Sequence, residues 1–493
     1  MVAEYRMKKR KDDTVSEALV KDLAALRPTN ITLARLLYTG LTHQSKPSRA
    51  YAQAMSGLSA DDAPSPAPWE EDPLPHHARA PAVATDEALI EAAGFLLEEL
   101  PRRYAHRMRE LDGLPPQLQA EEGCIECREQ FRASIGEVLR FRDSGGVRTL
   151  DDERAFAQMV KRNMDRHGKT LVLMASALFG YQQKMGLEMK EMADDAQLHS
   201  RLDSFQLGRI GTRVICGQYL ELHRGWEGAG TRSAAAGSNN PAAPPGTPGS
   251  QNSFVGLINP HSSPAQTARF AIADAAKLCE REFGAAPEVR IEGDIDRVFP
   301  YIPSHLYYML FELLKNSMRA TLLTHRGYCD TDGTCSFMPY LVPLPAVELT
   351  IGHSEKNQDV VMKISDKGGG ISRDVSKRLF SYLFTTARPD TIATSAELLD
   401  YGQRAPMAGL GYGLPISRTY ARYFGGEVTV ISVEGVSTDA YLHLNKLGDA
   451  NEPLPYFWEG ARDSGGWEAM SSVTEPCGSS VADPGSIKSV DYL

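Results

Sequence analysis

The sequence predicts an α + α/β chain in which an N-terminal four-helix bundle is followed by a C-terminal α/β sandwich. Three observations carry that prediction. Apolar residues recur at helical spacing through most of residues 89–224, with few β-branched clusters and few internal glycines. From about Ser262 the pattern changes to helices alternating with short strands of alternating apolar and polar residues. A length of 493 residues also exceeds one ordinary domain.

Taken in order, the helical half begins with Leu89, Ala92, Ala93, Leu96 and Leu97 on one face, and longer periodic stretches follow at 116–143, 150–190 and 197–224. Two segments interrupt it. Residues 56–84 hold six prolines among scattered acids, and residues 226–252 are Gly/Ala/Pro-rich, so both read as loop or disorder. The expected domains are 1–255, 256–448 and a flexible tail, 449–493. Within the second, helices are predicted from Pro264 to Phe283, over 303–324, and from Leu414 to the Gly425-Gly426 stop. Strands are predicted around Val289–Ile291 and over Val347–Ile351, Asp359–Ser365, Glu427–Ser432 and Ser437–Asn445.

Composition removes several classes of function. The net charge of -10 and the lack of a strongly basic tract in the folded regions argue against a nucleic-acid binder. No run approaches twenty apolar residues, so no membrane span is expected. Seven cysteines make no disulfide framework, and Cys124-x-x-Cys127 without a second ligand pair reads as buried thiols rather than zinc ligands. The N-terminus has no apolar signal core, and Glu4, Asp12, Asp13 and Glu17 spoil a mitochondrial presequence.

Three motifs carry the chemistry. On the helix over 303–324, Leu306, Leu310, Leu313, Ser317 and Ala320 form the core face. Tyr308, Glu312, Lys315, Asn316 and Arg319 form a second stripe, about a quarter turn wide. An Asn amide offers magnesium an oxygen, Lys and Arg complement phosphate, and a carboxylate can take a proton from an attacking hydroxyl. Such a stripe also suits a solvated face, and the helix alone does not decide between them. The second motif, Asp366-Lys367-Gly368-Gly369-Gly370, ends a strand with an acid able to accept from an adenine amine, then turns sharply; a plain glycine turn is the competing reading. The third, Gly409-Leu410-Gly411-Tyr412-Gly413-Leu414-Pro415, leads into a helix whose N-terminal N–H groups suit a phosphate. It has neither Rossmann nor Walker spacing, and His167-Gly168-Lys169-Thr170 lacks the upstream glycine of the latter.

In this order the motifs resemble the N, G1 and G2 boxes of the ATPase superfamily of DNA gyrase, MutL, heat-shock chaperones and sensor histidine kinases. The wording of Pro303–Leu306, Phe311–Thr321 and Gly411–Arg418 resembles pyruvate dehydrogenase kinase. Phe384–Ala387 and Glu99-Leu100-Pro101-x-Arg103-x-Ala105-His106-Arg107 are similar to the branched-chain 2-oxoacid dehydrogenase kinase. The resemblance to mitochondrial 2-oxoacid dehydrogenase kinases spans roughly residues 30–448. It implies a histidine-kinase-type ATP-binding domain and a protein-serine kinase acting on a dehydrogenase E1 component. It further implies Glu312 as general base, Asn316 on magnesium, and Lys315 and Arg319 nearby. Asp366 would hold adenine with Gly368, Gly370 and Thr438, while Thr385, Thr386, Gly409, Leu410, Gly411, Tyr412, Gly413 and Leu414 would face the phosphates. Potassium would bind backbone at Leu379, Ser381 and Phe384, although Ser381 stands where the branched-chain enzyme has an acid. ATP, a lipoyl domain of the E2 core, a homodimer and the mitochondrial matrix complete what the resemblance implies. Tyr308 replaces a histidine that tunes the base in pyruvate dehydrogenase kinases, and the tail offers Trp458 and Trp467 but no Asp-Trp pair for cross-docking.

The E1 of pyruvate dehydrogenase is the first expectation for substrate and that of the branched-chain complex the second. A silent nucleotide-binding adaptor is the reading of another class, and intact Glu312, Asn316 and glycine boxes weigh against it. A sensor histidine kinase needs an acid beside its phosphoacceptor, which neither His106 nor His167 has.

Overall fold

The computed structural model describes residues 15–29, 31, 36, 85–234, 254–329, 335–337, 343–353, 359–385, 411–445 and 452–453. Insertion 56–84, residues 235–252 of the second insertion and Trp458 and Trp467 lie outside the described residues. The helical half contains α1 (Glu17–Ala24), α2 (Asp86–Asp112), α3 (Pro116–Gln119), α4 (Glu122–Asp143), α5 (Leu150–Arg166), α6 (Thr170–Met185), α7 (Met189–Ala193) and α8 (Ala196–Ala234). Thr85 caps α2 by accepting from Ala88 N–H, and Thr149 with Asp152 forms a reciprocal capping box on α5. The stretch 150–190 is not one helix: a 3₁₀ turn over His167–Lys169 separates α5 from α6. Cys124 and Cys127 are buried in α4, beside Met174 Sδ and the Thr170 carbonyl.

Residues 226–234 correct the expected loop, because they continue α8. Their low-complexity composition is overridden by contacts made at Trp226. Its Nε1 donates to Asp86 Oδ1 at 2.8 Å, and the Arg154 guanidinium lies 5.3 Å from the ring centroid. Just upstream, the fully buried Glu153 carboxylate accepts from Tyr219 Oη at 2.7 Å and lies 3.0 Å from His223 Nδ1. Hydrogen bonding to Glu153 raises the His223 pKa, against the opposing effect of burial. A raised pKa contributes stability in full below the unfolded value, about 6.5, and that contribution is lost as pH rises through the folded value. Melting temperatures measured across neutral to alkaline pH should fall in the wild type, and this component should be missing from His223→Gln.

The second half carries β1 (Asn259–Ser262), α9 (Pro264–Phe283), β2 (Val289–Gly293), β3 (Phe299–Tyr301), α10 (Pro303–Arg326), β4 (Gly327–Cys329), β5 (Cys335–Phe337), β6 (Val347–His353), β7 (Asp359–Asp366), α11 (Arg373–Ser376), α12 (Gly413–Tyr423), β8 (Glu427–Val433) and β9 (Ser437–Asn445). Five strands form a mixed sheet in the order β2-β6-β7-β9-β8, parallel between β2 and β6 and antiparallel elsewhere. On β7, Val360, Met362, Ile364 and Asp366 are buried and alternate with more exposed neighbours. The apolar row meets Leu310, Leu314 and Met318 of α10 in one continuous core, each such side chain worth about 1.5–3 kcal/mol when fully buried. α9 and α12 pack on α10, and α8 packs on α12, so a single helix touches both halves of the chain.

The tail is not wholly separate. Glu452 is 2% exposed, its backbone N–H donates to the Ile31 carbonyl, and its carboxylate receives Arg103 of α2 at 2.7 and 2.8 Å. The expected boundary at 448 therefore moves for residues 452–453, which belong with the folded part. A buried ion pair, which no local pattern in the tail announces, is the reason.

Candidate active site

The pleat of β7 decides where Asp366 goes. Two residues beyond Ile364, it continues the helix-facing row but lies at the sheet's end, beneath α10. It is 4% exposed, and its Oδ1 accepts from Gly368 N–H at 2.9 Å. Burial raises its pKa, opposed by hydrogen bonds from Gly368 and from the Ser317 side chain on α10. Ser317 was expected only as a core residue, and the sequence carries no signal of this second contact. Thr438 is the register partner of Asp366 across β7 and β9, and its hydroxyl lies 2.9 Å from Ser432 Oγ. Residues 72 positions apart thus become neighbours through strand pairing.

The glycines after Asp366 answer to space as well as to conformation. Gly369 and Gly370 have φ of 77° and 69°, and a Cβ on Gly370 would lie 2.0 Å from the Val433 carbonyl oxygen. A Cβ on Gly368 would lie 2.5 Å from Ala320 Cβ on α10. Gly370→Ala should therefore lower stability by about 1–3 kcal/mol through strain. Thermal melting of the wild type and the variant checks it. The recess beyond the sheet's end, about 140 Å³, is bordered by Asp366, Asp439 and Glu348 against the single cation Lys367, a lining that disfavours an anion.

Helix α10 supplies the second group. Asn316 is exposed, as the predicted stripe requires, but Lys315 is 1% exposed. The expectation that Lys315 displays its ammonium beside Asn316 is corrected: Nζ lies 2.7 Å from Glu312 Oε2 and 5.5 Å from the Phe311 ring centroid. A cation this deep requires a counter-charge, and the carboxylate one turn back provides it. Arg319 is half-buried, its pKa lowered by burial and partly restored by Glu282 of α9. The Tyr308 ring packs 5.2 Å from that of Tyr420.

The third group meets the second through a glycine. A Cβ on Gly413, the first residue of α12, would stand 2.1 Å from Glu312 Oε2. The carboxylate therefore touches the N-terminal turn of α12, whose free N–H groups favour an anion. Gly411 has φ 71°, and a Cβ there would lie 2.6 Å from the Leu383 carbonyl carbon. Tyr412 is buried and Leu414 half-buried. Thr385 N–H donates to Met189 Sδ at 3.5 Å. Thr386, Gly409 and Leu410 lie outside the described residues. Leu379, Ser381 and Phe384 share one tight stretch, in which Phe384 N–H donates to the Ser381 carbonyl at 3.4 Å and Ser381 Oγ to the Ala193 carbonyl at 2.9 Å.

The donor set suits a magnesium nucleotide: a buried acid at a glycine turn for a base, an exposed amide oxygen for a hard cation, and a helix N-terminus for phosphate. His106 and His167 are 8% and 6% exposed, and burial lowers both pKa values to about 4. Neither imidazole is placed to accept a phosphoryl group.

Residues 76–259 match the family model described as mitochondrial branched-chain alpha-ketoacid dehydrogenase kinase. Residues 301–447 match the model described as histidine kinase-, DNA gyrase B-, and HSP90-like ATPase. The chain is similar to the mitochondrial pyruvate dehydrogenase (acetyl-transferring) kinase of Arabidopsis thaliana, 38% identical over 371 residues, covering 75% of this chain and 89% of that protein. It is 31% identical to isozyme 1 of that kinase from Homo sapiens over 376 residues, covering 74% and 75%. Isozyme 3 from Mus musculus is 34% identical over 380 residues, covering 74% and 78%.

Proposed function

The chain belongs to the mitochondrial 2-oxoacid dehydrogenase kinase family, and on that premise we propose that it is an ATP-dependent protein-serine kinase of the mitochondrion whose substrate is the E1 component of pyruvate dehydrogenase. The observation that carries the chemistry is Glu312, a buried carboxylate held against both Lys315 and the start of α12. Glu312 takes the proton of a serine hydroxyl as that oxygen attacks the γ-phosphorus of ATP; the bond to the β,γ-bridging oxygen breaks and ADP leaves. Asp366, Gly368, Gly370 and Thr438 hold the adenine end, and Gly411, Gly413 and Leu414, with Gly409, Leu410, Thr385 and Thr386, approach the phosphates. Asn316 holds magnesium, which when bound neutralises triphosphate charge. Arg319 lies along the same helix, and Lys315 acts through Glu312 rather than on phosphate. Potassium at the backbone of Leu379, Ser381 and Phe384 is part of the proposal.

We also read the helical half as a four-helix bundle of α2, α4, α8 and the interrupted pair α5–α6, docking the lipoyl domain of the E2 core, in a homodimer. The domains are 1–255 and 256–448, with residues 452–453 attached to the fold. The family model over the helical half names the branched-chain kinase, which keeps that E1 as the second substrate to test. Labelled γ-phosphate from Mg-ATP should transfer to a serine of pyruvate dehydrogenase E1. Transfer to branched-chain E1 instead reverses the order of substrates, and ATP binding without transfer to either replaces the kinase by an adaptor.

A further inference from the structure

The stretch before residues 386–410 and the stretch after them meet at the nucleotide site, and the helical half holds that junction from behind. Tyr382 is 1% exposed, and its hydroxyl donates to Asp203 Oδ1 on α8 at 2.6 Å. Its backbone N–H donates to His199 Nδ1 at 3.3 Å, and the two rings stack with centroids 6.0 Å apart at 20°. On its other side the Tyr382 ring meets the edge of Tyr412 at 5.2 Å. The next residue, Leu383, has φ 61°, a left-handed conformation that strains a leucine. That strained turn is what Gly411 packs against, at separations only a glycine allows. From Tyr412 the chain runs into Gly413, against Glu312.

These contacts form an unbroken line from α8 to the carboxylate: Asp203, Tyr382, Tyr412, Gly413, Glu312. The links are a part-buried hydrogen bond, a ring packing, a peptide bond and a glycine approach, so a shift at one end displaces the next. Two outer contacts run parallel to it. Arg378 donates to both Asp194 oxygens at 2.6 Å, and Lys190 Nζ lies 3.4 Å from Asp374 Oδ2. Those pairs are partly exposed and contribute little each. Nothing in the local sequence around Asp203 or Tyr382 marks them, since each reads as one polar or aromatic residue in its own element.

We propose that Asp203 and Tyr382 are positioning residues of the nucleotide site, tying the second glycine box to helix α8 of the helical half. The inference rests on the ATP-site reading above and adds two residues that never touch nucleotide.

The test uses the full chain and Mg-ATP displacing a fluorescent adenine nucleotide, so it needs no protein substrate. Tyr382→Phe and Asp203→Ala each delete the hydrogen bond, whereas Asp203→Asn keeps an acceptor oxygen in place. The expected result is an ATP Kd raised about five- to tenfold by the first two, the scale of one hydrogen bond. Asp203→Asn should stay within about twofold of wild type. In the transfer assay the same loss appears in KM for ATP more than in kcat. An unchanged ATP Kd in Tyr382→Phe overturns the proposal. Equal weakening in all three variants, with equal falls in melting temperature, also overturns it, because the pair is then merely structural. Transfer to E1 is scored separately, and its absence counts against the kinase reading while the nucleotide titration still decides this one.

Discussion

Glu312→Gln should reduce phosphoryl transfer by about 10²–10⁴-fold, the usual worth of a positioned general base. The amide is nearly isosteric, so the approach of Gly413 to position 312 survives, and nucleotide still binds at Asp366 and the glycine turn. What changes is basicity, since an amide oxygen cannot take up the serine proton. A second consequence separates this residue from a purely electrostatic one. Lys315 is buried against Glu312, and loss of its counter-charge should cost stability by about 1.5–3 kcal/mol, as for a hydrogen bond to a charged group. Replacing both residues, Glu312→Gln with Lys315→Met, should restore most of that stability and none of the activity. Labelled-phosphate transfer and thermal melting, run on the wild type, the single variant and the double variant, check both halves. Recovery of activity in the double variant would show that the ammonium, and not the missing base, had set the rate.

Arg103→Ala should be the most damaging change outside the nucleotide site. Burial opposes the charge on Arg103, yet Glu452 and Glu99 hold its pKa above the ordinary value. It donates to Glu99 at 2.9 Å, to both oxygens of Glu452, and to the Thr29 carbonyl at 2.8 Å. Both acids are almost fully buried. Deleting the guanidinium leaves the Glu452 carboxylate without its cation and Glu99 with only Arg102 at 3.8 Å, at a cost of about 3–5 kcal/mol from a typical total of about 5–15 kcal/mol. Urea titration should show a midpoint well below wild type. Glu452→Ala in the Arg103→Ala background should then cost much less than in the wild type, because the interaction has already gone. Full additivity of the two changes would mean that the pair contributes nothing as a pair. The Cβ space at Gly211, 2.0 Å from Glu452 Oε1, makes Gly211→Ala an independent way to dislodge the same carboxylate.

Some of this was legible in residue order and some was not, and particular elements show why. The helix Pro264–Phe283 and the strand Ser437–Asn445 have the bounds their patterns predict, because a Ser-Pro start, a glycine stop and strict alternation are local signals. Strands β1 and β3 escaped, being four and three residues long and held mainly by each other. Residues 226–234 looked like linker because their glycines and alanines say nothing about Trp226 reaching Asp86, 140 positions away. Lys315 was misplaced for a related reason. A helical wheel gives angles on one helix, and it was the packing of α12 and the sheet around α10 that closed over part of the polar stripe.

By itself, then, the sequence determined a helical first half, an α/β second half and the order of the three motifs along the chain. Those follow from periodicity, capping and backbone space, which act over a few residues. Only the tertiary structure decided that Thr438 and Ser317 stand beside Asp366, that Gly413 and Lys315 touch Glu312, and that Tyr382 is tied to Asp203. Each of these joins residues on different elements, or depends on which side of an element is covered. Such contacts are set by strand register and by helices closing on one core, where the nearest neighbour in space is far away in the chain.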